Sequence, residues 1–149
     1  MAERIIASSD HAGIHLRQTA VAVARELGFE VEDVGPAEGQ RAEYPEQARR
    51  VAEAVAAGKA RFGLLVCGTG IGVSIAANKV RGVRAALCST EFEARMARAH
   101  NDANVLCMGE RVIGPGVGDG VVRTFLSTAF EGGRHGVRVG MITELDQRR

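Results

Sequence analysis

The chain has 149 residues, 46% hydrophobic and 25% charged, with a formal net charge of +1. That size suits one domain (residues 1–149) with a substantial core, and the near balance of charge argues against a nucleic-acid-binding surface. No apolar run approaches the roughly 18 residues of a membrane span, and the start "MAERIIASSD" has no signal-peptide pattern, so a soluble cytoplasmic protein is expected.

Short apolar runs alternate with helical periods along the chain. "RIIASS" reads as a buried strand. Leu16, Ala20, Val23, Ala24 and Leu27 then share one helical face, and Gly28 can end that helix. "FEVEDV" alternates as a second strand. Pro45 sits where a first-turn proline belongs, and Ala48, Val51, Ala52 and Val55 form a stripe that stops at Gly58. "FGLLV" is a wholly apolar third strand, and a helix is expected to open near Gly70–Ser74 and run to about Lys79. "VRAAL" is the fourth strand. Thr90 with Glu93 makes a capping box for the next helix. "NVLCM" is the fifth strand, and Val117, Val121, Val122, Phe125, Leu126 and Ala129 mark the helix after it. A last helix is expected over about residues 136–149.

Apolar strands separated by amphipathic helices imply a parallel sheet covered on both faces. The expected fold class is α/β, a three-layer αβα Rossmann-like (flavodoxin-like) sandwich around a five-stranded parallel sheet. In such sheets a ligand lies beyond the carboxyl ends of the strands, where the strand order switches. The segments to search are therefore 8–13, 35–44, 67–72, 88–91 and 109–114.

These segments and two helix ends hold the reactive side chains. "SSDHAG" carries Asp10 and His11, "CGTGIGVS" carries Cys67, Thr69 and Ser74, and "GERVIG" carries Arg111. "RAHND" carries His100 and Asn101, and "EGGRHGVRVG" carries Arg134, His135 and Arg138. Gly68, Gly70 and Gly72 bare backbone amides that can converge on an anion at a helix start, or simply permit a tight turn. This is neither a Walker loop nor a good dinucleotide fingerprint. Arg134 and Arg138 share a helical face, either as a solvated surface or, with Arg111, as a phosphate clamp. Cys67 stands at a strand-to-helix junction, a setting that favours thiolate; plain packing is the other reading. The remaining thiols, Cys88 and Cys107, read as buried filler. The histidines are caps or proton shuttles. Cys and His spacing fits no zinc site, and no serine-hydrolase elbow occurs.

Together, "SSDHAG", "EYP", "CGTGIGVSIAANKVRGVRAALC", "ARAHNDANVLCMGERVIG" and "FEGGRHGVRV" resemble, in this order, the ribose-5-phosphate isomerase B family, which includes the galactose-6-phosphate isomerase subunits. The resemblance spans about Ile5 to Arg149. It implies an aldose–ketose isomerase of the pentose phosphate pathway that interconverts ribose 5-phosphate and ribulose 5-phosphate without metal or organic cofactor. It also implies a homodimer with shared active sites, the C-terminal helix packing on the partner; further pairing into tetramers stays open. By resemblance Cys67 is the base, Thr69 assists, and amides from Gly68, Gly70 and Gly72 to Ser74 hold the enediolate. Asp10 and His100 serve ring opening, with Asn101 beside them. His11, Arg111, Arg134 and Arg138 bind phosphate, and Tyr44 lines the sugar site. One branch of the family places a glutamate base where this chain has Val73, so the chain resembles the cysteine branch. A six-carbon sugar phosphate as substrate (allose or galactose 6-phosphate), or non-catalytic binding of a sugar phosphate, are the alternatives.

Overall fold

Strands and helices alternate in the order that the apolar spacing predicts, in a computed structural model that describes residues 1–148. The strands are β1 (Arg4–Ser9), β2 (Glu30–Asp33), β3 (Phe62–Cys67), β4 (Ala85–Leu87) and β5 (Val105–Gly109). The helices are α1 (Ile14–Glu26), α2 (Tyr44–Ala56), α3 (Ile71–Ala77), α4 (Glu91–Ala99), α5 (Pro115–Ser127) and α6 (Arg134–Asp146). Every strand pairing is parallel, and the spatial order is β2-β1-β3-β5-β4. This is the expected α/β sandwich, with β4 and β5 exchanged relative to the 2-1-3-4-5 order of flavodoxin.

Right-handed crossovers from that order send α1 and α4 to one face and α2 and α3 to the other. The core divides accordingly. Leu16, Val23, Val121 and Phe125 pack on Leu64, Val66, Leu106 and Met108. Val51, Val55, Val73 and Ala77 pack on Leu65, Cys67, Val105 and Cys107. β3 and β5 feed both clusters because successive strand side chains point to opposite faces. Phe62 and Phe125 meet edge to face at 5.6 Å, and burying a side chain of that size stabilises by about 1.5–3 kcal/mol.

Element ends depart from expectation where local bonding intervenes. β4 starts at Ala85 rather than Val83, because the Val83 amide is drawn back to the Val80 carbonyl at 3.2 Å. Leu27 lies beyond the end of α1 and is 38% exposed. Thr90 caps α4 as expected: its hydroxyl oxygen accepts from the Glu93 amide at 3.1 Å, and the Glu93 carboxylate accepts from the Ser89 amide at 2.9 Å. α6 begins at Arg134 and ends at Asp146, inside the expected span at its far end; Arg149 lies outside the described residues.

α6 stands apart from the two helical layers. The Glu131 amide, just before it, donates to the Ala99 carbonyl at the end of α4 at 3.0 Å. The Gly82 amide, ahead of β4, donates to the Asp146 carboxylate at 2.9 Å. Both ends of α6 are thereby tied to the amino edge of the sheet. Its Val137, Met141 and Leu145 are exposed. Among the described residues no helix is long and apolar enough to cross a membrane.

Candidate active site

β1 feeds α1 on one face while its neighbour β3 feeds α3 on the other, so a crevice opens beyond their carboxyl ends. Asp10 follows β1 and Cys67 ends β3. A cleft of about 480 Å³ lies there, lined by Asp10, His11, Tyr44, Cys67, Thr69 and Arg111 together with Gly68 and Gly72.

Cys67 is nearly buried, and its Sγ accepts a hydrogen bond from the Gly70 amide at 3.1 Å. An N–H aimed at sulfur is a contact that a negative acceptor makes more strongly than a neutral one. Gly70 makes the turn possible. Its φ is +77°, and a Cβ there would sit 2.8 Å from the Met108 carbonyl carbon, so a side chain would be both strained and blocked. The amides of Gly72 and Val73, in the first turn of α3, have no acceptor among the described residues. Ser74 departs from expectation. Its amide is bound to the Gly70 carbonyl at 3.2 Å and its hydroxyl donates to the Ile71 carbonyl at 2.7 Å, so its donors are engaged within the helix. Val73 is fully buried, and its side chain has no group that can move a proton.

The neighbouring groups are each held by the local chain. Asp10 Oδ1 accepts from the Ala12 amide at 2.9 Å. His11 Nδ1 donates to the Ala42 carbonyl at 3.2 Å, which leaves Nε2 free for a ligand. Thr69 Oγ1 accepts from the Ile71 amide at 3.2 Å, so its own proton remains to be donated. The Tyr44 ring lies against Gly72, where a Cβ would meet Cε1 at 2.4 Å. Arg111 passes Gly68, its Nη1 3.4 Å from where a Cβ would be.

Three supports escaped sequence reading. Arg17 is buried; its guanidinium donates to Ser9 Oγ and to the Pro36 carbonyl, both at 2.7 Å, and its Nε lies 3.1 Å from Asp33 Oδ1. It fastens segment 33–36 to the end of β1 beside Asp10. Ser8 Oγ donates to Gln47 Oε1 at 2.7 Å, binding β1 to α2. The Leu16 amide in the first turn of α1 is capped by Glu110 Oε1 at 2.7 Å. That partner is 94 residues away, so no local capping signal exists.

His100, Asn101, Arg134 and Arg138 are not in this cleft. His100 caps the C-terminus of α4, and its ring stacks on His135 at 4.0 Å and 9°. Burial, the His100 charge and Arg134 hold His135 below the ordinary histidine range. Asn101 lines a separate hollow with Asn78, Ile142 and Leu145. Arg134 and Arg138 lie one turn apart on α6. Cys67 is in register with Gly109 at the end of β5, whereas His100 precedes its start at Val105. Four strand steps separate those ends, about 13 Å at 3.3 Å per residue. Arg134 and Arg138, on α6 at the amino edge, do not line the cleft with Arg111. Cys88 and Cys107 are buried as expected; burial and then Glu93 push the Cys88 thiol up to about 12.

A parallel α/β sandwich with a thiol, an acid, an imidazole and a guanidinium converging at its switch point defines a small-molecule site of the enzymatic kind. The chain belongs to the ribose/galactose isomerase family, whose model matches residues 5–142. It is 46% identical over 147 residues to ribose-5-phosphate isomerase B of Escherichia coli (strain K12), covering 99% of each chain. It superposes on the Clostridium thermocellum ribose-5-phosphate isomerase B structure with a TM-score of 0.94 at 45% identity, covering 97% of this chain and 98% of that one. The type B ribose 5-phosphate isomerase of Trypanosoma brucei gives 0.94 at 47% identity, over 97% and 99% of the two chains.

Proposed function

We propose that this chain interconverts ribose 5-phosphate and ribulose 5-phosphate by proton transfer through an enediolate, with Cys67 as the base. The observation that carries the mechanism is the Cys67 sulfur, held by the Gly70 amide in a cleft shared with Asp10, His11, Tyr44, Thr69 and Arg111. The names of the relatives carry the same substrate.

The chemistry follows from those groups. Asp10 and His100 open the furanose, one taking the anomeric hydroxyl proton while the other protonates the ring oxygen. The C1 carbonyl so exposed acidifies the C2 proton. The Cys67 thiolate removes it, and the electrons move through C1=C2 onto the C1 oxygen. That oxygen meets the bare amides of Gly72 and Val73, a donor set of the oxyanion-hole kind. O2 loses its proton as C2 becomes the carbonyl, O1 gains one, and the thiol returns hydrogen to C1. Thr69 steadies the two oxygens. Asn101 stands beside His100, and Tyr44 walls the sugar. His11, Arg111, Arg134 and Arg138 bind phosphate, which guanidinium groups match in pairs.

His100, Asn101, Arg134 and Arg138 come from a second copy in this reading. The exposed apolar side chains of α6 support that docking, since one chain leaves them uncovered. Three free cysteines suit a reducing, cytoplasmic setting. The test is a ketose-formation assay with five- and six-carbon aldose phosphates on wild type and Cys67→Ala. Wild type converts ribose 5-phosphate with the higher kcat/KM, and Cys67→Ala binds a substrate analogue without turnover. Full activity in Cys67→Ala removes the thiolate from the mechanism.

A further inference from the structure

The segment "FEGGRHG" does more than begin α6. Gly132 and Gly133 have φ values of +68° and +55°, and this left-handed pair turns the chain sharply. The His135 amide closes the turn on the Gly132 carbonyl at 3.0 Å. His135 Nε2 is thereby brought to 3.6 Å from Glu131 Oε1. The Glu131 amide is anchored on Ala99, and the same carboxylate oxygen lies 3.9 Å from His100 Nε2. Two stacked imidazoles and one carboxylate therefore gather their ligand atoms within 4.8 Å of one another, with the two ring planes still parallel.

We propose that His100, Glu131 and His135 bind a divalent transition cation of the zinc class. Two imidazole nitrogens and one carboxylate oxygen are a known donor set for zinc, with a fourth position left open. Tetrahedral bonds of about 2.0–2.1 Å place donors about 3.3 Å apart, so the three atoms close by about 1.5 Å at most, and the half-exposed His100 ring turns out of the stack to bring both lone pairs onto the ion. Magnesium and calcium prefer oxygen and gain little here. The neighbouring Arg134 and Arg138 repel any cation, so only an ion that forms strong bonds to nitrogen is held here. The site draws on segments about thirty residues apart, which is why no spacing motif announces it. An ion there withdraws His100 Nε2 from substrate and so inhibits turnover; that consequence rests on the isomerase reading, whereas the binding does not.

The test is calorimetric titration of the full chain with zinc chloride, comparing wild type with Glu131→Gln, His135→Asn and Cys67→Ala. Circular dichroism verifies each fold. One ion binds per chain, with affinity lowered about tenfold or more by Glu131→Gln and by His135→Asn and unchanged by Cys67→Ala. Cobalt chloride gives tetrahedral visible bands without sulfur-to-cobalt charge transfer, and magnesium chloride gives no binding heat. Should His135→Asn not fold, the exposed Glu131→Gln carries the comparison alone. An isotherm lost in Cys67→Ala, one unmoved by Glu131→Gln, or no binding up to millimolar zinc overturns the proposal. Zinc that binds as described yet leaves turnover untouched upholds the site and removes His100 from ring opening.

Discussion

The carboxyl and amino edges of this sheet are furnished in different ways. At the carboxyl edge Cys67, Asp10, His11 and Arg111 converge on one cleft, each positioned by a loop that follows a strand or, for Cys67, by the strand end itself. At the amino edge the α4 terminus and α6 hold His100, Arg134 and Arg138 on the protein's outside, next to exposed apolar side chains. The first region has a thiol and bare amides without the expected arginine pair. The second has the arginines and two imidazoles without a thiol. The difference teaches that the residues of the proposed isomerase site lie at opposite edges of one chain's sheet.

The sharpest break of that comparison is chemical. Cys67→Ala should lower kcat by about 10²–10⁴, the usual worth of a general base, while calorimetry with a substrate analogue shows unchanged affinity. Mixing subunits tests the division itself. Cys67→Ala and His100→Asn chains, each nearly inactive, should recover about a quarter of wild-type activity when refolded together, since half of the dimers are mixed and each mixed dimer keeps one intact site. No recovery would mean that both residues serve the same chain's site. Arg134→Ala and Arg138→Ala should each cost about 1.5–3 kcal/mol in kcat/KM, the worth of a charged hydrogen bond. The loss should fall on KM and vanish for a sugar without phosphate.

Two further expectations concern the frame of each region. A Cβ on Gly109 would meet the Thr69 carbonyl carbon at 2.4 Å; Gly109→Ala should destabilise by about 1–3 kcal/mol in urea unfolding and disturb the cleft without affecting α6. Proton NMR titration should separate the histidines of the two regions. His15 is raised above 6.5, chiefly by its hydrogen bond to Glu38 and also by the Glu110 and Glu38 charges, whereas His135 is lowered by burial. The signs for stability are opposite. The His15 contribution is full below the unfolded pKa and is lost as pH rises through the raised folded value. The His135 contribution is present above the unfolded pKa near 6.5 and is lost as pH falls through the lowered folded value. A His15 resonance that titrates below that of His135 would contradict the geometry of both.

The alternation of strands and helices was legible because Ile5, Leu64 and Leu106 sit in short apolar runs, while Val51 and Val55 keep helical spacing. The cleft was legible too, since Asp10 and Cys67 stand at strand ends. What sequence did not disclose is what acts across distance. Arg17 looks like an ordinary surface residue of an amphipathic helix, yet Ser9, Asp33 and Pro36 surround it. Ser74 sits where a loop donor is expected, but helical geometry turns its hydroxyl back onto Ile71. The Glu131 carboxylate reaches His100 through a turn whose shape depends on two glycines. His100 belongs at the amino edge because it comes just ahead of β5, whereas the packing of α6 at that same edge follows from tertiary bonds that no spacing reveals.

The separation of Cys67 from His100 along the length of β5 carries a kinetic corollary. On the proposed reading a solitary newly made chain is silent, and catalysis begins only at encounter. At scarce copy number the rate then grows with the square of the amount of protein. Dilution alone would switch the reaction off.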